Sequence, residues 1–169
     1  YKIDKKLELQ QKRIEALEEY KKGMMQKIFN QEIRFKDGDG KDFPEWENRK
    51  LQDLGRFYNG LRGKNKQHFI NGNKKYIQYL NVFNNIIIDK GFNDYGYVSM
   101  DADENQNKVE YGDILFTQSS ETIEEIGMSS VYLDNQEIYL NSFSFGFRIE
   151  SEEQLNYKYI AYLLRSNRL

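Results

Sequence analysis

The chain has 169 residues, 38% of them hydrophobic and 31% charged, with 11 Phe, 13 Tyr, one Trp, one Pro, one His and no Cys. That bounds it to one domain, or one domain with an extended appendage, carrying enough aromatic mass for a real core. It excludes disulfides and thiolate metal sites, and no run approaches the roughly 18 apolar residues of a membrane span. Zero cysteines and no apolar leader core lead us to expect a cytoplasmic protein.

The net charge of −2 hides a strong division. Residues 1–36 carry ten Lys/Arg against six Asp/Glu, and residues 49–75 carry eight against Asp53 alone. Residues 89–153 carry three basic and fifteen acidic side chains, a net of −12. Local clustering, more than net charge, decides where a polyanion can dock.

In chain order, the first 36 residues read as one helix, free of Pro and rich in strong helix formers. Ile3, Leu7, Gln10, Ile14, Leu17, Lys21, Met24 and Ile28 recur in steps of four and three, a heptad seam. Such a stripe needs a partner helix, so a homodimer through residues 3–28 is expected. The helix-interface residues are Ile3, Leu7, Ile14, Leu17, Met24 and Ile28. A helix packed on its own domain is the plainer alternative. Some 30 helical residues reach roughly 45 Å.

The helix is expected to end near Arg34–Lys36, before "KDGDGKDFPEWE", a turn-rich linker over residues 37–48. A calcium loop aligned on Gly40 puts Phe35 at the first ligand and Trp46 at the bidentate glutamate, so it fails at both ends. Residues 49–169 then break into short segments: "KLQDLGRFYNG", "KYIQYLNVF", "NIIID", "YGYVSM", "DILFTQ", "SVYLD" and "EIYLNSFSFGFRIE". These read as strands. "SEEQLNYKYIAYLLRSN" returns to helical spacing, with Leu155, Tyr159, Tyr162 and Leu163 on one side and Ser151 to Glu153 as its cap. The fold class is α+β: a long N-terminal coiled-coil-type helix, then a globular domain with a mixed or curled β-sheet. The chain opens and closes inside helical patterns and reads as a piece of something longer.

Catalytic chemistry finds little support. His68 is the lone histidine and lies in a polar stretch, so a Ser-His-Asp arrangement has nothing to build on. "GLRGKN" has two residues between its glycines where a Walker loop needs four, and Asn65 follows Lys64 where Ser or Thr belongs. A single proline forbids an Asp-Pro-Pro-Tyr methyltransferase tetrapeptide, and Pro44 is followed by Glu45, which forbids a Pro-Asp nuclease opening. No catalytic residue and no metal ligand is assigned.

Binding fits better. Over residues 49–79, Arg56, Arg62, Lys64, Lys66, Lys74 and Lys75 alternate with aromatic rings and amides. Lys and Arg neutralise phosphates, and amides read base edges. "TQSSET", Thr117 to Thr122, follows the strand "DILF" and offers small hydroxyls and an amide at a strand end.

The succession of these pieces resembles the specificity subunit of type I restriction–modification systems. The resembling residues are "KKGMMQKIFNQEIRFKDGDGKDFPEWENRKLQDL", "GLRGKNKQHFINGNKKYIQYLNVFNN", "VEYGDILFTQSSET", "IGMSSVY" and "YIAYLLRS". The resemblance implies two target-recognition domains separated by two long helices that set the spacing of two half-sites on double-stranded DNA. Methyltransferase subunits, which carry S-adenosylmethionine, dock on the helices, and a motor subunit translocates and cleaves. This chain is then the central helix and most of the second recognition domain, itself non-catalytic and without a cofactor. Expected phosphate contacts are Arg62, Lys64, Lys66, Lys74 and Lys75. Expected base or sugar contacts are Tyr79, Asn81, Gln118, Ser119 and Ser120. The competing class is a structural or oligomerisation module that binds a protein partner through the helix, warranted by the seam and the acidic region.

Overall fold

The computed structural model describes residues 2–119, 126–150 and 155–166. It divides into two units, one comprising residues 1–47 and 166–169, the other running from Asn48 to Arg165. Among the described residues no helix is long and apolar enough to cross a membrane.

The first unit is dominated by helix α1, Lys2–Phe29, none of whose residues is buried. Its 28 residues span about 42 Å at 1.5 Å per residue. On the seam, Ile3, Leu7, Ile14 and Leu17 are exposed. The helix stops five residues or more before the expected Arg34–Lys36. The reason is a Schellman turn: Glu32 N–H donates to Lys27 O at 2.9 Å, Gln31 N–H donates to Ile28 O at 3.1 Å, and Gln31 sits at φ 63°. Gln31 takes a left-handed position usually given to glycine, so the sequence lacked the residue that marks a helix end. Beyond it, Asp37 Oδ1 accepts from Asp39 and Lys41 N–H at 3.0 and 2.8 Å, closing the "DGDGK" turn below a Lys36–Asp42 bridge. Arg34 fastens the following stretch through the carbonyls of Phe43 and Pro44, at 2.6 and 3.0 Å, and through the Glu45 carboxylate.

The second unit contains nine strands and two helices among its described residues: β1 (Gly55–Asn59), β2 (Lys74–Ile77), α2 (Tyr79–Asn84), β3 (Ile87–Asp89), β4 (Gly96–Val98), β5 (Lys108–Val109), β6 (Ile114–Thr117), β7 (Ser129–Leu133), β8 (Ile138–Leu140), β9 (Ser144–Ile149) and α3 (Tyr157–Arg165). They form two mixed sheets, ordered β1-β9-β6-β7-β3 and β4-β2-β8-β5. In each, one neighbouring pair is parallel, β3 with β7 and β2 with β8, and the rest are antiparallel. The sheet is thus mixed, as one of the two expectations held.

Three details differ from the sequence reading. "KYIQYLNVF" is a strand only to Ile77, because Gln78 and Asn81 form a reciprocal cap that starts α2. "EIYLNSFSFGFRIE" is cut into β8 and β9 by a turn at Asn141. Lys108–Val109 adds a strand too short to announce itself.

Period-2 alternation sorts the strand residues between cores. Leu115, Tyr132, Ile138 and Leu140 join Tyr58, Ile77, Ile88 and Val109 in a core shared by both sheets. Their neighbours Ile114, Val131, Leu133 and Phe147 face away, under α3. Tyr139 faces Leu61, Val98 and Met100 on the far side of the smaller sheet. The packed face of α3 is Tyr157, Ile160, Ala161 and Leu164, spaced i, i+3, i+4, i+7. This corrects the expected face of Leu155, Tyr159, Tyr162 and Leu163. The expected cap at Ser151–Glu153 lies outside the described residues.

Two polar devices lock the unit. Asp113, almost wholly buried, accepts from the Tyr58 hydroxyl at 2.6 Å and from Arg148 Nε and Nη2 at 2.9 and 2.7 Å. Burial and the Asp113 carboxylate raise the Tyr58 phenol well above its usual range. Gly146 makes room for this: a Cβ there would sit 2.1 Å from the Tyr58 ring. The buried Arg165 guanidinium donates to Ser129 O and Val82 O, both at 2.6 Å, and to Asn85 O at 3.1 Å. It thereby ties α3 to β7 and closes the C-terminus of α2.

Candidate nucleic-acid interface

The basic segment after β1 is held against the turn at the end of β8. Leu61 N–H donates to Leu140 O at 2.8 Å. Gly60 permits this approach, since a Cβ there would lie 1.9 Å from Asn141 O. Gln106 then clamps the next residue, accepting from Arg62 N–H at 3.0 Å and donating to Arg62 O at 2.9 Å. Asn65 caps the short turn Lys66–Phe69, accepting from Gln67 N–H at 3.0 Å while its own N–H donates to His68 Nδ1 at 3.1 Å. The single histidine is therefore engaged in turn geometry, and Ser99 N–H also donates to its carbonyl, at 2.7 Å.

These anchors separate the five expected phosphate contacts into two groups. Arg62 and Lys66 are exposed, and neither side chain has an acidic partner among the described residues. Lys64, by contrast, keeps its side chain only 6% exposed, pairing with Glu104 at 2.5 Å and donating to Ser99 O at 2.8 Å. Lys64 and then Gln106 hold the Glu104 carboxyl below its usual range. Lys74 pairs with Glu137 at 2.5 Å, a carboxylate also shared with Lys108 at 2.6 Å. Lys75 donates to Gln136 Oε1 at 2.9 Å and lies 5.5 Å from the Tyr95 ring centroid.

The charge division seen along the sequence is not kept in space: Glu104, Glu137 and Glu150 reach the basic strip and pair with Lys64, Lys74 and Arg56. Partners distant in sequence meet because β2, β5 and β8 share one sheet and β1 lies beside β9.

The expected base contacts are also divided. Gln118 and Ser119 are exposed just beyond β6, whereas Ser120 lies outside the described residues. Asn81 is buried, its Oδ1 accepting from Gln78 N–H at 2.7 Å, so its amide starts α2 and does not reach the surface. Tyr79 stacks on Phe83 with ring centroids 6.3 Å apart, and its hydroxyl is buried.

Two neighbouring clefts organise what is exposed. One, of about 580 Å³, brings Arg62 and Gln118 together with Arg56, Asn59, Asn107 and Phe145. The other, of about 440 Å³, includes Lys66, Tyr79, Leu80 and Phe143. They meet at the β8–β9 turn, where Gln118 N–H donates to Phe143 O at 3.0 Å. The sequence reading missed Asn59, Asn107, Leu80 and Phe143. Phe143 shares its period with Phe145, and only the turn that interrupts the strand frees it. Among the described residues, no group of three or more His, Asp or Glu side chains is arranged to hold a metal ion. Across these two clefts the arrangement offers two cations without an acidic partner among the described residues, exposed amides and apolar groups, which is binding chemistry for a polyanion carrying planar, hydrogen-bonding groups.

No family model matches the chain, and no curated protein matches its sequence.

Proposed function

We propose that the chain is a sequence-specific DNA-recognition subunit of a type I restriction–modification complex. It reads one half of a bipartite target, while partner subunits methylate with S-adenosylmethionine and cleave. The order of sequence segments supports this reading. The observation that carries it is the presence, across adjoining clefts, of Arg62 and Lys66, without acidic partners among the described residues, and of the exposed amide of Gln118. Cations position a duplex through its phosphates, and amides at a strand end read base edges. In this reading the unit Asn48–Arg165 is the recognition domain, and α1 is the spacer and homodimer element. The chain itself performs no chemistry, and it works in the cytoplasm.

The test is the salt dependence of duplex binding. Replacing Arg62 and Lys66 with Gln should lower the slope of log affinity against log salt by about 2, near 0.9 per lost phosphate contact. The Lys64→Gln change should leave that slope unaltered. An unchanged slope in the double variant sinks the phosphate assignment.

The exposed seam of α1 favours a second reading, an assembly module whose partner is a protein. Duplex pulldown with the assembled complex separates the two, because retention of DNA after loss of residues 49–120 supports the assembly module.

A further inference from the structure

The turn between β8 and β9 carries an aromatic ring that the fold holds in place without burying. Phe143 is 63% exposed, yet its backbone is pinned by the buried Asn141. Asn141 Oδ1 accepts from Phe143 N–H at 2.8 Å, and Nδ2 donates to Ser144 Oγ at 3.0 Å and Ile77 O at 3.2 Å. The backbone that carries the ring is thus held by the buried asparagine. A hydrophobic group pre-set in this way, with Leu80 also exposed in the same cleft, is suited to a partner.

The charge around it indicates which partner. Lys66 lines that cleft and Arg62 the adjoining one, so each of the two clefts carries a cation without an acidic partner among the described residues. An apolar protein surface gains nothing from that arrangement, whereas a phosphate backbone does. The remaining neighbour is Gln118, joined to Phe143 by a 3.0 Å backbone hydrogen bond. Its side-chain amide is exposed and makes no hydrogen bond among the described residues. A carboxamide beside an apolar group has one good match in the major groove. Adenine presents N7 and N6–H₂ to a bidentate amide, and its paired thymine presents a 5-methyl group. A G·C pair presents no methyl group.

We infer that Gln118 and Phe143 together read an A·T base pair, the Gln118 amide pairing with adenine and the Phe143 ring packing on the thymine methyl. This rests on the DNA-recognition reading and adds base identity to it. Arg62 and Lys66 seat the backbone; Gln118 and Phe143 discriminate.

Duplexes enriched on the full chain from a random-sequence library supply the probe, each thymine being replaced in turn by deoxyuridine. At one position, losing the methyl should weaken binding about fourfold, the worth of one buried methyl group. The penalty should vanish in Phe143→Ala and persist in Phe143→Leu, with both variants keeping the wild-type salt slope. Uniform tolerance of deoxyuridine by the wild type, or a penalty that survives in Phe143→Ala, overturns the inference while leaving DNA recognition intact. A library from which no duplex is enriched overturns DNA recognition itself, and this inference with it.

Discussion

Helix α1 and the unit Asn48–Arg165 use their apolar residues in opposite ways. The helix buries none of its 28 residues, and its seam residues Ile3, Leu7, Ile14 and Leu17 face solvent. Its regularity comes from intrinsic propensity and local pairs such as Lys12 with Glu8 at 2.7 Å, each worth only a few tenths of a kcal/mol. The second unit sorts alternate strand residues into cores on both faces of its sheets and adds buried charge at Asp113, Arg148 and Arg165. One region has an unspent apolar surface and little to lose internally. The other is self-sufficient, and a single broken link inside it is costly.

The largest expected effect comes from breaking such a link. The Asp113→Ala change leaves the largely buried Arg148 with Glu110 as its one remaining carboxylate and the Lys108 carbonyl, and should destabilise the second unit by about 3–5 kcal/mol. Denaturant unfolding followed by Tyr fluorescence and far-UV circular dichroism measures it. A loss below about 1 kcal/mol would mean that the network does not hold the unit together.

A smaller effect is expected from Leu17→Asp on the exposed seam. The unfolding transition of the second unit should move by less than about 0.5 kcal/mol, as for a surface change. Self-association should weaken by one to two orders of magnitude, because a buried Leu contributes about 1.5–3 kcal/mol. Sedimentation across a concentration series reads both species. An unaltered association constant would remove the seam from the interface.

The smallest effect concerns the surface clip at Glu137. Hydrogen bonds from Lys108 and Lys74 pull its carboxyl from the ordinary 4.5 down to about 2. A carboxylate with a depressed folded-state value favours the folded state above its unfolded value. That contribution is fully present above about pH 4.5 and is lost as the pH falls toward about 2. Urea midpoints across this window should therefore fall less steeply in Glu137→Gln than in the wild type. Parallel curves would assign the acid sensitivity to other carboxylates.

Legibility in the sequence followed the range of the interactions. The long N-terminal helix, most strands and the terminal helix rest on neighbours within a few residues, and their periodicity is visible in one dimension. The end of α1 was misjudged because Gln31 takes a left-handed position without the usual glycine. The face of α3 was misjudged because the sheet beneath it selects Tyr157, Ile160, Ala161 and Leu164 among several apolar stripes. The site was legible as a composition, basic and amide-rich, but not as a set of available groups. Lys64 and Lys66 are two residues apart and chemically alike; Glu104, forty residues away from Lys64, makes one structural and leaves the other free.

A long helix, an α+β domain and a cationic segment inside it follow from the order of residues, because propensity, alternation and charge density are local properties. Contacts between distant segments set which cations are spent on Glu104, Glu137 and Glu150, bury Asn81 as a cap, and bring Gln118 beside Phe143. Those outcomes depend on strand order and on the close approach at Gly60. Chain separation carries no information about either.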